Sequence, residues 1–513
     1  MSNYTKDNNQ IMNFRPLVTV AICFIVGIIL PIVYLCANAT IYFVLAVISI
    51  AVIVVLAVIR SKKFNKLSYV VYGIGIAFLI FGSIVTFSRI FYNLGAETRS
   101  YEVVSGYVQK INSKEELSNG YKYGLIVNAN VDGVNEKIYT VIVTNKEITV
   151  FNEVTFKGKL NNYYCKSSKG VNLYPLTDNI RYSVYEPIVY SVGGLKEGII
   201  PTLRNHLYNT LKLYCPENYG VINGILTGDT SGIDNYDLTT YRRLGVAHIF
   251  AVSGLHVGFL FAAVVSILKL CKVKRTKHIY FVIPTLLFYV AFCGFTASCM
   301  RAFTIILIKL IADTFGYKRD GLNTISIGAI VVLTINPTSL FTIGFQLSFL
   351  AYIGIILFTK PFSRLLSKVL SVRASEFISP YVVAYLSTLP VIVDCFGYLA
   401  PFAILFNVLV IPIIGIVYVA CFIVSILLMI SPIFKALSLL PEYTFNAVNL
   451  IINNINDEFF LIRNLRFSVS TVFYYSAFII TLDKFNITKK ERIILFSVLF
   501  SLFIASFVII NIV

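Results

Sequence analysis

Residues 224–258 read GILTGDTSGIDNYDLTTYRRLGVAHIFAVSGLHVG. Asp229, Arg242, Arg243, His248, Ser253 and His256 crowd into 28 residues here, and apolar chain begins at Ile249. Hydrocarbon tolerates such groups only where they face protein or a water-filled path, so this stretch is the first candidate for a functional site. Gly254 and Gly258 form a GxxxG, which lets another backbone approach that face of the helix closely.

Outward from this stretch the chain is mostly apolar. Hydrophobic residues make up 57% of 513 positions and charged ones 13%, with a mean hydropathy of +0.79. That balance excludes an ordinary soluble domain and predicts a polytopic α-helical membrane protein. Crossing needs about 20 apolar residues. Such segments lie near 16–36, 39–59, 69–92, 249–270, 279–297, 299–316, 322–342, 344–359, 379–397, 402–431, 467–483 and 491–513. With an amphipathic stretch at 434–455 that spans or lies in the interface, the expectation is about 10–13 spans. The first apolar segment leads straight into a second and reads as an anchor rather than a cleavable signal peptide.

The net charge is +18. Basic clusters at Arg60–Lys66, Lys272–Lys277, Lys360–Arg373 and Lys484–Arg492 fit short cytoplasmic loops under the positive-inside rule. Placing all four inside puts the N-terminus in the cytoplasm and residues 93–200 outside it. Attraction of a polyanion is the other use of such charge. Charge alone leaves both readings open. Nine cysteines include no CxxC, and Cys165 with Cys215 could in principle pair. The four histidines, at 206, 248, 256 and 278, form no metal motif, and no cofactor is implied.

The expected organisation is three transmembrane helices at 1–92, a β domain at 93–200, an amphipathic interfacial segment at 201–247 and a second membrane domain at 248–513. Within 93–200, Glu102–Ile111, Tyr123–Val131, Glu136–Thr144 and Glu153–Leu160 alternate with period 2 and are separated by turn residues. About five short strands suit a small closed barrel. This region holds 12 Lys/Arg against 11 Asp/Glu, so it carries no broad basic footprint. Tyr163, Tyr164 and Lys166, or Tyr121, Lys122 and Tyr123, are candidate base-stacking clusters, against the plainer reading of barrel packing. Pro284, Pro337, Pro390, Pro401 and Pro412 interrupt the later spans and invite kinks.

Several runs carry a family resemblance. They are Gly228-Asp229 with Ser231-Gly232, the Tyr-Arg-Arg-Leu-Gly at 241–245, and His248 with Ala251 to Gly258. Phe295–Arg301, Asn336-Pro337 with Gly344 to Phe349, Phe396-Gly397, and Asn407 with Ile411-Pro412 continue it. The chain resembles the ComEC-type competence family, inner-membrane DNA-uptake channels of bacteria. The resemblance implies an OB-like fold for the β domain and a channel passing single-stranded transforming DNA into the cytoplasm. It also implies a multi-pass protein of the bacterial inner membrane, served by a cytoplasmic ATP-driven translocase and a membrane DNA receptor. Many members end in a metallo-β-lactamase-like domain. This chain resembles a form lacking it, so a separate nuclease is expected.

A single-strand path needs donors for phosphate and no deep trap. Arg242, Arg243 and Arg301 are candidates for phosphate contact, or for snorkelling at the interface. His248, Ser253, His256, Gln346 and Asn407 are candidates for neutral path lining, or for helix packing. Asp229 is expected to pair with one of the arginines at the mouth. Gly254 and Gly258 are candidate helix-packing positions and leave a homodimer open beside a monomer. Besides a vestigial family member retained without transport activity, two rivals stand against the channel. One is a transporter of another anionic polymer or lipid. The other is an intramembrane serine hydrolase built from Ser253, His256 and Asp229, which the missing G-x-S-x-G elbow disfavours. The resemblance implies a passive conduit rather than an enzyme, and no GxxxxGK[ST] phosphate loop occurs in the sequence.

Overall fold

The computed structural model describes residues 16–36, 67–163, 166–167, 170–171, 174–243, 254–317, 320–453 and 462–463. The predicted segments 39–59, 467–483 and 491–513, together with His248, Ser253 and Cys165, lie outside these residues. So does the side chain of Arg242.

Two helices open the described chain, α1 (Pro16–Cys36) and α2 (Leu67–Leu94). Small residues bring them together. A Cβ on Gly27 would stand 2.2 Å from the Leu79 carbonyl oxygen, and Ser83 Oγ donates to the Gly27 carbonyl at 2.9 Å.

A β region follows: β1 (Arg99–Leu117), β2 (Gly120–Val131), β3 (Val134–Thr144), β4 (Asn152–Asn162), the short β5 (Lys166–Ser167) and β6 (Gly170–Val171), helix α3 (Tyr174–Asp178), β7 (Tyr182–Val184) and β8 (Ile188–Leu195). Pairing runs β1–β2–β3–β7–β4, with β8 beyond β4, and β4 also pairs with β1. The hydrogen bonding therefore returns to the strand it began from. The 19 residues of β1 serve both neighbours, the first half on β4 and the second on β2. Register shifts at Val108/Lys110 and Ile111/Ser113 bend the strand enough to do so. Gly106 sits at the handover, partnered by both Ala129 and Val154, where a Cβ would stand 2.5 Å from the Asn128 carbonyl oxygen. Alternation fills the interior. Ile138, Thr140 and Ile142 from β3 and Val154, Phe156 and Leu160 from β4 point inward with Tyr123, Leu125 and Val127.

The helical part comprises α4 (Ile199–Tyr214), α5 (Tyr219–Thr227), α6 (Asn235–Arg243), α7 (Gly254–Leu270), α8 (His278–Phe292), α9 (Ala297–Phe315), α10 (Gly321–Ile335), α11 (Ile343–Leu366), α12 (Val372–Phe396), α13 (Ala403–Ile430) and α14 (Leu439–Asn453). Four stretches, Val70–Asn93, Ile343–Leu366, Val372–Phe396 and Ala403–Ile430, are helices long and apolar enough to cross a membrane. Pro16–Ile32, Gly254–Leu270 and Gly321–Ile335 are shorter apolar helices. Pro284, Pro390 and Pro412 lie inside α8, α12 and α13, while Pro337 opens the 3-10 turn Pro337–Phe341 between α10 and α11. One apolar core joins α4–α9 with α13 and α14, and a second joins α1 with α10 and α11.

The stretch 201–247, expected to be interfacial, is more varied. Helix α4 has one buried and one exposed face, whereas every residue of α5 from Gly220 to Thr227 is buried. Helix α14, within the ambiguous stretch 434–455, docks on 215–241 through Asn446 and Asn449.

Several contacts among the described residues tie the β region to the helices. Tyr92 of α2 donates to Glu136 Oε1 at 2.6 Å, and Arg181 pairs with the same carboxylate. Thr338 Oγ1 donates to the Leu176 carbonyl at 2.8 Å. Glu147 accepts from Tyr208 Oη at 2.9 Å and from Lys212 Nζ at 2.5 Å, both on α4.

Candidate functional site

The motif residues begin at the end of α5. Gly228 closes that helix in the left-handed conformation, φ 81°, its N–H donating to the Gly224 carbonyl at 2.8 Å. The chain then folds into a tight polar corner. Asp229 N–H donates to Thr227 Oγ1 at 3.2 Å, and Ser231 N–H donates to Asp229 Oδ1 at 3.1 Å. Gly232 brings this corner back onto α5. A Cβ on Gly220 would stand 1.9 Å from the Gly232 carbonyl oxygen, so the two backbones touch. Gly232 belongs to the motif, but its partner Gly220 lies outside it and carried no local signal.

Asp229 does not join Arg301. No ion pair of Asp229 is present among the described residues; its charge favours the charged form of Arg204 on α4, whose guanidinium donates to the Phe292 carbonyl at 3.4 Å and lies 5.5 Å from the Phe151 ring of the β region. Arg204 was invisible as a partner because 25 residues separate it from Asp229 in a segment read only for amphipathicity. The end of α5 is further held by Tyr289, whose hydroxyl donates to the Leu226 carbonyl at 3.3 Å.

Arg243 closes α6 and is half-buried, with Arg242 beside it in the backbone. Tyr241, just before them, is buried, and burial pushes its phenol pKa up, so the group is a neutral donor. Its hydroxyl donates to Asn449 Oδ1 at 2.6 Å.

Arg301 occupies the crossing of four helices. It is 9% exposed, on α9, with its guanidinium carbon 5.4 Å from the Tyr352 ring and 5.8 Å from the Phe349 ring, both on α11. Its Cγ lies 3.9 Å from where a Cβ on Gly328 of α10 would stand, and its Nη2 2.5 Å from where one on Gly254 of α7 would stand. Its Nε has no hydrogen-bond partner among the described residues. A guanidinium held away from water without an anion is costly unless one arrives, and aromatic faces offset part of that cost.

This arrangement revises the reading of the GxxxG. Gly254 admits a side chain, the Arg301 guanidinium, together with Ala302 Cβ at 3.2 Å, rather than another backbone. Nothing among the described residues lies within 4 Å of a Cβ on Gly258.

His256, 1% exposed, packs its ring 4.7 Å from that of Tyr418 on α13. Gln346 donates to the Leu340 carbonyl at 3.2 Å and so holds the preceding 3-10 turn. Asn407 is half-buried on α13, its Oδ1 without a partner among the described residues. Asn336 donates to the Thr177 carbonyl at 3.4 Å, which places the Asn-Pro motif at the seat of the β region. The structure thus brings Gly254 and Arg301 together, sets His256 and Gln346 against other partners, and leaves Asn407 Oδ1 without one among the described residues. Among the described residues no three His, Cys, Asp or Glu side chains gather as a metal site. Cys215 is buried, its Sγ 3.9 Å from the Ser438 carbonyl oxygen.

Comparison with known proteins follows the same residues. A family model described as "Competence protein" matches residues 225–485. The "ComE operon protein 3" of Bacillus subtilis (strain 168) is 30% identical over 212 residues, 41% of this chain and 27% of that protein. An "Uncharacterized protein MG316 homolog" of Mycoplasma pneumoniae is 32% identical over 112 residues, 21% of this chain and 28% of that protein. Each match covers little more than a quarter of the relative's own length. No solved structure matches.

Proposed function

Because this chain belongs to the competence protein family, whose model matches it over more than half its length, we propose that it is a channel for DNA uptake, passing single-stranded transforming DNA across the bacterial inner membrane. The observation that carries the path is Arg301, a buried guanidinium at a four-helix crossing whose Nε has no partner among the described residues. A passing phosphate would find there the fork of donors that its oxygens match. The aromatic faces of Phe349 and Tyr352 offset part of the cost of holding the cation there. We assign Arg242 and Arg243 to the mouth and retain His256, Ser253, His248, Gln346 and Asn407 as candidate neutral polar groups of the path.

The remaining features fit that use. The ring of pairing β1–β2–β3–β7–β4–β1 supports the small OB-like barrel that the resemblance implies. We place it outside the cytoplasm near the entrance, tied to the helices through Glu136, Glu147 and Thr338. The chain is multi-pass, with its N-terminus in the cytoplasm. A cytoplasmic ATP-driven translocase supplies the force, a membrane receptor delivers the DNA, and a separate nuclease removes the other strand.

A photo-crosslinking residue at Tyr352 tests this in cells taking up labelled DNA. The channel reading expects a covalent adduct between this chain and incoming single-stranded DNA. Uptake that proceeds with no adduct at Tyr352, while a label in the β region does crosslink, removes Arg301 from the path.

A further inference from the structure

Five polar side chains form a continuous chain of hydrogen bonds between 217–241 and α14. Glu217 Oε2 accepts from Asn446 Nδ2 at 2.8 Å, and Asn446 Oδ1 accepts from Asn218 Nδ2 at 2.5 Å. Asn218 Oδ1 accepts from Asn449 Nδ2 at 3.1 Å, and Asn449 Oδ1 accepts from the Tyr241 hydroxyl at 2.6 Å. Each amide uses its oxygen toward one neighbour and its nitrogen toward the other. Two backbone-linked contacts close the lower end, Glu217 N–H to Glu442 Oε1 at 3.1 Å and Asn218 Nδ2 to the Glu442 carbonyl at 3.3 Å.

Asn218 and Tyr241 are buried, among Leu211, Val221 and Phe445. In such surroundings an amide deprived of one partner has no water to turn to, so the members hold or fail together. The upper end of the chain is what gives it a use. Helix α6 has nine residues, too few to be stable alone, so its position comes from what it packs against. Tyr241 is its buried anchor, and Arg242 and Arg243 follow directly.

We propose that Asn218, Asn446 and Asn449 are positioning residues, a ladder that sets the Tyr241-Arg242-Arg243 corner from α14. The proposal deepens the channel reading and rests on it for the use of the two arginines. It assigns a role to α14 and to Asn218, neither of which lies in a quoted motif. Asparagine suits the task because one side chain both accepts and donates along a line, which a serine or an aspartate cannot do across this spacing.

The test uses the full chain in nanodiscs and in cells, with Tyr241→Phe, Asn449→Leu and the double variant. Backbone hydrogen exchange across 235–243 is followed beside that of β2 and β3, and DNA uptake is measured in parallel. The ladder predicts exchange in 235–243 faster by about tenfold in Tyr241→Phe, the effect of one buried hydrogen bond, and by at least that in Asn449→Leu, which also breaks the bond to Asn218. It predicts little change in the double variant beyond Asn449→Leu alone, since that substitution has already removed the Tyr241 bond, and unchanged exchange in β2 and β3. Unchanged exchange across 235–243 overturns the proposal, as does fully additive loss in the double variant. Faster exchange there with normal uptake upholds the ladder and instead removes Arg242 and Arg243 from the DNA path.

Discussion

Replacing Gly254 with alanine isolates the contact that organises the candidate path. The added Cβ would stand 2.5 Å from Arg301 Nη2, 3.5 Å from its Cζ and 3.2 Å from Ala302 Cβ. An ordinary contact needs roughly 3.5 Å or more, so the guanidinium must retreat by about 1 Å. Arg301 is flexible in principle, but Phe349 and Tyr352 stand close to its guanidinium. Overpacking of this kind costs about 1–3 kcal/mol. Against it stands a gain of about 1 kcal/mol from putting alanine for glycine in a helix. The net for Gly254→Ala is a loss of about 0–2 kcal/mol. Gly258→Ala meets nothing within 4 Å among the described residues and keeps only the gain. The two variants, one turn apart, should therefore differ by about 1–3 kcal/mol in thermal unfolding of the purified protein. Combining Gly254→Ala with Arg301→Ala should erase the penalty, because the displaced group is gone. If Gly258→Ala is as damaging as Gly254→Ala, or if the penalty survives without Arg301, the glycines serve a helix–helix contact and the seat for Arg301 is refuted.

Three further outcomes follow from the geometry. Gly220→Ala drives a Cβ to 1.9 Å from the Gly232 carbonyl oxygen, a backbone atom that cannot swing away, so it should cost about 3 kcal/mol or more and lower expression. Thr338→Val leaves the Leu176 carbonyl without its 2.8 Å donor. It should cost about 1–3 kcal/mol, read as faster proteolysis or exchange around 174–178 with the helices unaffected. Glu147 is pulled two ways: burial raises its pKa, but hydrogen bonds from Lys212 and Tyr208 and the charge of Lys114 outweigh that and hold the carboxyl below its ordinary value. Its contribution is therefore present above about pH 4.3 and lost as pH falls below that. Exchange protection at the α4 face should stay constant from neutral pH to about 5 and drop below about 4, and Glu147→Gln should abolish that step.

Much of the fold was legible because its signals are local. Period-2 alternation placed β2, β3 and β4 within a few residues of their observed ends, and the apolar runs became helices α7 to α13. What escaped depends on contacts far apart in sequence. Asn336 and Thr338 look like a loop motif, and only the docking of residues 176 and 177, about 160 positions earlier, explains them. The length of β1 was underestimated, 102–111 against Arg99–Leu117, because its two halves face different neighbours and bulges break the alternation. At the candidate site the residue types were readable, but not their partners. Asp229 acts electrostatically on Arg204 of α4, and Gly254 meets a side chain, which a GxxxG pattern alone does not distinguish from a backbone.

The central claim is that this chain carries DNA inward. The most direct test is entry of labelled DNA into a DNase-resistant cytoplasmic pool, comparing the intact gene, a deletion and Arg301→Gln at matched protein levels. The account predicts that DNA still binds outside the deletion strain but fails to enter, and that Arg301→Gln enters much more slowly. Normal entry in the deletion strain would contradict it, and would turn attention to another anionic polymer as the cargo.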